Sequence, residues 1–266
     1  MNDEELFKIL EEICKAINKE LSNNSDSIVL DKKLFNCKKK NEEIEEYSTK
    51  KEAIGIIKKV EVLFVADNPG ENENIFMEFL YAPNPKEDPN YYLRAGYKFH
   101  NSIKKVPFLK DEEKIIVFNK CLISTKKTNG LTSDQVNKTK PFVEKFIKSL
   151  MDYNKELIIV FLGISSRKKY HVLNPVFELF KCNKNVYMLP HPVRNMFPTS
   201  IYGKNIDIKP DSITNVDEFI DYLTTVRNLL FNDEHNKDNK CVDDNDNDNG
   251  NDDGGDDGPS PCLVDA

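Results

Sequence analysis

Four short apolar runs constrain this chain more than any other feature: "VEVLFVAD" (60–67), "IIVFNK" (115–120), "LIIVFLG" (157–163) and "NVYMLPHP" (185–192). Each is near-continuously apolar rather than alternating, which is the pattern of strands covered on both faces in a parallel sheet. Between and around them lie segments of helical period. Residues 3 to 21 carry Leu6, Ile9, Leu10, Ile13, Ile17 and Leu21 on one stripe. "SDQVNKTKPFVEKFIKSLMDY" offers Ser133 as N-cap and puts Val136, Phe142, Val143, Phe146, Ile147 and Leu150 on one side. "NPVFELFK" precedes the fourth run, and "VDEFIDYLTTVRNLLF" follows it with apolar residues at i, i+3 and i+4. Strands alternating with helices predict an α/β fold: a three-layer α/β/α sandwich around a central, mainly parallel four-stranded sheet.

Charge divides the chain in two. The net charge is −7, but residues 232–266 hold 12 acids against 2 lysines and so contribute −10, leaving +3 on residues 1–231. The tail, including "CVDDNDNDNGNDDGGDDGPSPCLVDA", has too little apolar content to offset the entropy of ordering itself and reads as disordered. The expected organisation is one domain over 1–231, with a helical N-terminal part over 1–59, followed by the acidic tail at 232–266. A mildly basic body is compatible with nucleic-acid binding. No apolar run approaches the ~20 residues of a membrane helix, and "MNDEELFKIL" lacks the pattern of a secretory signal. An intracellular location, cytoplasmic or nuclear, is the expectation. The six cysteines show no CxxC pair, which argues against zinc or iron–sulfur ligation and fits reduced thiols. Cys14, Cys121 and Cys182 read as core residues from their apolar surroundings.

In parallel α/β sheets, ligands bind at the carboxyl ends of the strands. Residues with chemistry stand at all four ends here. Asp67-Asn68-Pro69-Gly70 follows the first run, Asn119 and "KCLISTKKT" end the second, Gly163 and "ISSRKK" follow the third, and "HPVRNMFPTS" with His191 and Arg194 follows the fourth. Each has a plain structural reading, as a turn, a cap or a core histidine. Together they put two carboxamides, a carboxylate and an imidazole on one rim.

Taken in order, these residues resemble the uracil-DNA glycosylase superfamily. "DNPG" resembles the motif that positions water, "YYLRAG" (91–96) an aromatic before an Arg-Ala-Gly turn into a helix, "VFNKCL" the strand bearing the base-reading Asn, and "HPVRN" the His-Pro motif. The resemblance spans about residues 60 to 200. Ala66 stands where the family often has Gly, and Asp67 where many members have Gln, Ile, Met or Ala.

The resemblance implies a monofunctional glycosylase that hydrolyses the N-glycosidic bond of uracil, or of a similar deaminated base such as hypoxanthine, in DNA. Neither metal nor organic cofactor is implied, and a monomer is expected. Asn119 would read the base edge through a carboxamide that both donates and accepts. Tyr91 would stack on the flipped base, with Tyr92 and Tyr81 as alternatives, and Ala66, Pro69 and Gly70 would line the base site. His191 would donate to the developing base anion. Asn68 would position the water, with Asp67 as the other candidate. Arg194, Asn195, Met196 and Phe197 mix a cation with apolar side chains, a composition suited to a wedge in the duplex. Lys126, Lys127 and Arg167, with Lys168 and Lys169, would contact phosphates. The reading from another class is a protein of the same fold that binds nucleic acid or nucleotide without cleaving it.

Overall fold

A computed structural model describes residues 1–21, 50–69, 80, 86, 88–125, 131–163 and 173–231. The four apolar runs form β1 (Val62–Ala66), β2 (Ile115–Asn119), β3 (Ile158–Leu162) and β4 (Val186–Leu189). All pairings are parallel, in the order β2-β1-β3-β4. Every residue of β1, β3 and β4 is buried, which is why these strands carry no polar alternation. β2 is a sheet edge and has two half-buried positions.

Helices flank the sheet: α1 (Asp3–Leu21), α2 (Lys50–Lys59), α3 (Ala95–Ile103), α4 (Ser133–Tyr153), α5 (Asn174–Glu178) and α6 (Val216–Phe231). The three-layer α/β/α sandwich of the sequence reading is the observed architecture. α1 packs against α4 through Leu6, Leu10, Ile13 and Cys14, all nearly inaccessible. Its ion pairs Asp3–Lys58 at 2.7 Å and Glu12–Lys145 at 2.8 Å are solvent-exposed and add little beside that burial. α4 is capped by Thr132 rather than Ser133. The Thr132 side chain accepts from the Gln135 N–H, and the Gln135 side chain accepts from the Thr132 N–H, a reciprocal capping box.

Two further details differ from expectation. Cys14 and Cys121 are buried free thiols, but Cys182 is exposed and disulfide-bonded, so its apolar sequence neighbours do not place it in the core. A small antiparallel hairpin, β5 (Ser200–Ile201) and β6 (Lys204–Asn205), follows the fourth strand end. No helix among the described residues is long and apolar enough to cross a membrane. The acidic segment 232–266 lies outside the described residues.

The strand order positions the site. From central β1 the chain crosses to β2 on one side and then returns to β3 and β4 on the other. The crossover direction reverses between β1 and β3, and it is outside the strand ends at such a point that open parallel sheets bind ligands.

Candidate active site at the strand ends

One residue from each strand end meets at this point. Backbone bonds first align the loops: the N–H groups of Lys120 and Cys121 donate to the carbonyls of Ala66 (2.8 Å) and Asp67 (3.1 Å). The Gly163 N–H donates to the Leu189 carbonyl at 3.0 Å, tying the third end to the fourth. Within this frame the Asp67 carboxylate lies between Lys120, Gly163 and His191.

Lys120 follows Asn119 directly and is wholly buried. Its ammonium donates to the Leu162 carbonyl at 2.6 Å and forms an ion pair with Asp67 Oδ1 at 2.5 Å. A buried ammonium is tolerated when it is paired and bonded in this way. The other carboxylate oxygen, Oδ2, is 3.9 Å from His191 Nε2. His191 Nδ1 accepts from the Val193 N–H at 3.2 Å. A neutral ring accepting at Nδ1 carries its proton on Nε2, the nitrogen that faces Asp67 Oδ2.

Gly163 closes the cluster. Its φ of +81° lies in the left-handed region, and a Cβ there would stand 3.2 Å from both Asp67 carboxylate oxygens and 3.4 Å from His191 Cδ2. Only glycine satisfies both the backbone and the space.

The two carboxamides are arranged differently. Asn68 has its Nδ2 donating to Thr125 Oγ1 at 2.8 Å and to the Ile123 carbonyl at 3.3 Å, while its buried Oδ1 accepts from no described residue. Those bonds fix the amide orientation and leave an acceptor. Asn119 ends β2 opposite Ala66, is wholly buried, and neither Oδ1 nor Nδ2 has a hydrogen-bond partner among the described residues. A buried carboxamide unmatched at both ends costs about 1–3 kcal/mol per group, so its polar atoms call for a partner, a bound ligand or an ordered water.

The remaining candidates divide. Ala66 and Pro69 are buried beside the cluster. Tyr91 begins a 3₁₀ turn (Tyr91–Leu93), half-buried, with its ring edge-on to Tyr97 at 4.8 Å and to Tyr92 at 5.9 Å. Among the described residues its aromatic contacts are thus to neighbouring tyrosines. Arg94 is committed to Asp88 at 2.6 Å, and its guanidinium holds the Asp88 carboxyl below the usual range. This segment runs alongside the His-Pro turn, where Lys98 Nζ donates to the Val193 carbonyl at 3.4 Å.

The His-Pro loop corrects one expectation. Arg194 and Asn195 are exposed, as a DNA contact requires, but Met196 and Phe197 are buried and cannot enter a duplex. Phe197 packs against Phe219 and Tyr222 of α6, and the Tyr222 hydroxyl donates to the Pro198 carbonyl at 3.0 Å. These residues anchor the loop, and its exposed apolar side chain is Val193. Gly70, Tyr81, Lys126, Lys127 and Arg167, with Lys168 and Lys169, lie outside the described residues. A cleft of about 760 Å³ lies beyond the loop, between Ser102, Lys105, Asn195, Ile206 and Lys209, separate from the strand ends.

No protein-family model matches the chain, and comparison with curated proteins finds no match. The functional reading therefore rests on the site itself. Sequence reasoning passed over Lys120 and the packing role of Gly163. The signal at Lys120 was present, since a lysine embedded in "VFNKCLI" has apolar residues on both sides and little route to solvent.

Proposed function

We propose that the protein is a DNA glycosylase that removes uracil, or a similar deaminated base, by hydrolysing the N-glycosidic bond. The observation that carries this reading is Asn119, a wholly buried carboxamide with donor and acceptor both unmatched among the described residues. Its acceptor fits the N3–H of uracil and its donor fits O4, whereas cytosine presents the reverse pattern. A base reaches such a depth only by leaving the stack, with the loop around exposed Val193, Arg194 and Asn195 against the duplex.

In this reaction the bond between C1′ and the base nitrogen breaks, and its electron pair leaves with the base. The His191 Nε2–H donates to the anion forming on O2, a stabilisation typically of ~3 kcal/mol. Water adds its oxygen to the cationic C1′ and loses a proton, and the base is finally protonated. Asn68 supports the positioning role through its fixed amide and its buried, unmatched Oδ1. Asp67 is less suited to take the proton, because its carboxylate is already paired with Lys120.

The test is base release from oligonucleotides containing uracil, single-stranded and paired with G or A. Wild type is expected to release uracil, and His191→Ala to do so about a hundredfold or more slowly while still binding DNA. Loss of binding or folding in that variant would make His191 structural. The pairing of Asp67 also motivates a second reading, a protein that binds nucleic acid or nucleotide without cleaving it. DNA binding with no release of any deaminated base, unchanged on substitution of Asn68, is the outcome that favours it.

A further inference from the structure

We propose that Lys120 is a positioning residue that sets, through Asp67, the orientation and charge state of His191. This inference rests on the glycosylase reading only for the purpose His191 serves. The coupling itself follows from the cluster.

Three contacts form a chain across the strand ends. The Lys120 ammonium sits 2.5 Å from Asp67 Oδ1, Asp67 Oδ2 is 3.9 Å from His191 Nε2, and the Val193 N–H fixes His191 Nδ1 as an acceptor at 3.2 Å. Lys120 is wholly buried, so its charge is screened by neighbouring groups rather than by water. The Leu162 carbonyl takes a second ammonium bond at 2.6 Å and prevents the side chain from swinging away. Gly163 lies against the carboxylate, where a Cβ would stand 3.2 Å from both Asp67 oxygens, so its lack of a side chain leaves Asp67 the room to sit between Lys120 and His191.

The electrostatics give the arrangement a purpose. A lone carboxylate this close to an imidazole favours imidazolium. Paired with an ammonium, Asp67 presents His191 with a nearly neutral couple that still attracts the Nε2–H dipole. The ring then stays neutral and aimed, a donor in place before a base arrives and with little to reorganise during reaction. The other charges facing His191 among the described residues are weaker influences. Lys98 of α3 reaches the Val193 carbonyl, and Arg194 on the same turn is exposed to water.

The test compares wild type with Lys120→Met, Asp67→Asn and the double variant. Three readouts are taken: the ¹⁵N signals of the His191 ring through a pH titration, thermal melting, and uracil release. In Lys120→Met the uncompensated carboxylate is expected to move the His191 protonation midpoint upward. Turnover should fall about tenfold or more, as on loss of an orienting partner, with KM changing less than kcat. In Asp67→Asn the stranded ammonium is expected to move the midpoint downward. The double variant, with both charges gone, should return it toward wild type and recover part of the turnover. If Lys120→Met does not fold, Asp67→Asn and the double variant carry the comparison. An unchanged midpoint in folded single variants, or a double variant in which the two losses of turnover simply multiply with no recovery, overturns the proposal. Midpoints that move as described in a protein releasing no uracil would uphold the coupling and sink the glycosylase reading, so the two fail separately.

Discussion

At the scale of single residues, the site is defined by what is left unmatched and what is left no room. Asn119→Asp replaces a donor and acceptor with two acceptors, and on the proposed reading the preference for uracil over cytosine should fall about tenfold or more, since each mispatterned buried bond is worth ~1–3 kcal/mol. Competing release from uracil- and cytosine-containing strands measures it, and unchanged selectivity would remove Asn119 from the base site. Gly163→Ala meets both an unfavourable φ and two carboxylate oxygens at 3.2 Å. It should cost about 1–2 kcal/mol of stability from the backbone alone, read as a lower denaturation midpoint, and displace Asp67, so that on the proposed reading base release slows further than stability explains. Asn68, Asp67, Asn119 and His191 were legible in the sequence because each directly follows or ends an apolar run. Lys120 was hidden because lysine is so often solvated surface. Met196 misled because an apolar residue beside an arginine has the composition of a wedge whether it faces DNA or the core.

At the scale of elements, buried strands and long amphipathic helices declare themselves through period, and short irregular pieces do not. β1 to β4, α1 and α6 fall within the spans that hydropathy predicts. α2 carries a glycine and a short apolar stripe that periodicity alone does not separate from a loop, and the β5–β6 hairpin has only two residues per strand. The docking of α1 on α4 has a consequence at high pH. The Tyr153 hydroxyl donates to Asp3 Oδ1 at 2.8 Å; burial first, and then this bond, push its pKa up to about 12 from 10.0. Tyr222 is pushed up too, by burial. The unfolded chain releases these protons near pH 10, while the folded chain holds them to higher pH. The contribution of Tyr153 is therefore complete below pH 10 and is lost as pH rises from there toward 12, and that of Tyr222 is also complete below pH 10 and declines above it. Urea denaturation at a series of alkaline pH values should show the midpoint falling across this window. Tyr153→Phe should make the fall shallower; an identical profile would show that α1 docking does not depend on that hydroxyl.

At the scale of the whole molecule, every buried core side chain described lies between Leu6 and Leu230, and the strongly acidic part of the sequence lies beyond them. Deleting residues 240–266 should therefore leave the thermal midpoint unchanged when both chains are melted under reducing conditions, which open the disulfide of Cys182, and a clear drop in the truncated chain would mean that the tail belongs to the fold. The site draws one residue from each of four strand ends, spread from Asp67 to His191 along the chain. Contacts so distant in sequence close late in folding, after the entropy of long loops has been overcome. No segment shorter than that span carries the cluster, so a nascent or partly unfolded chain has no fragment of it able to act on its own. Assembly of the sheet is thus what brings the four residues together, and on the proposed reading it is the switch that arms the chemistry.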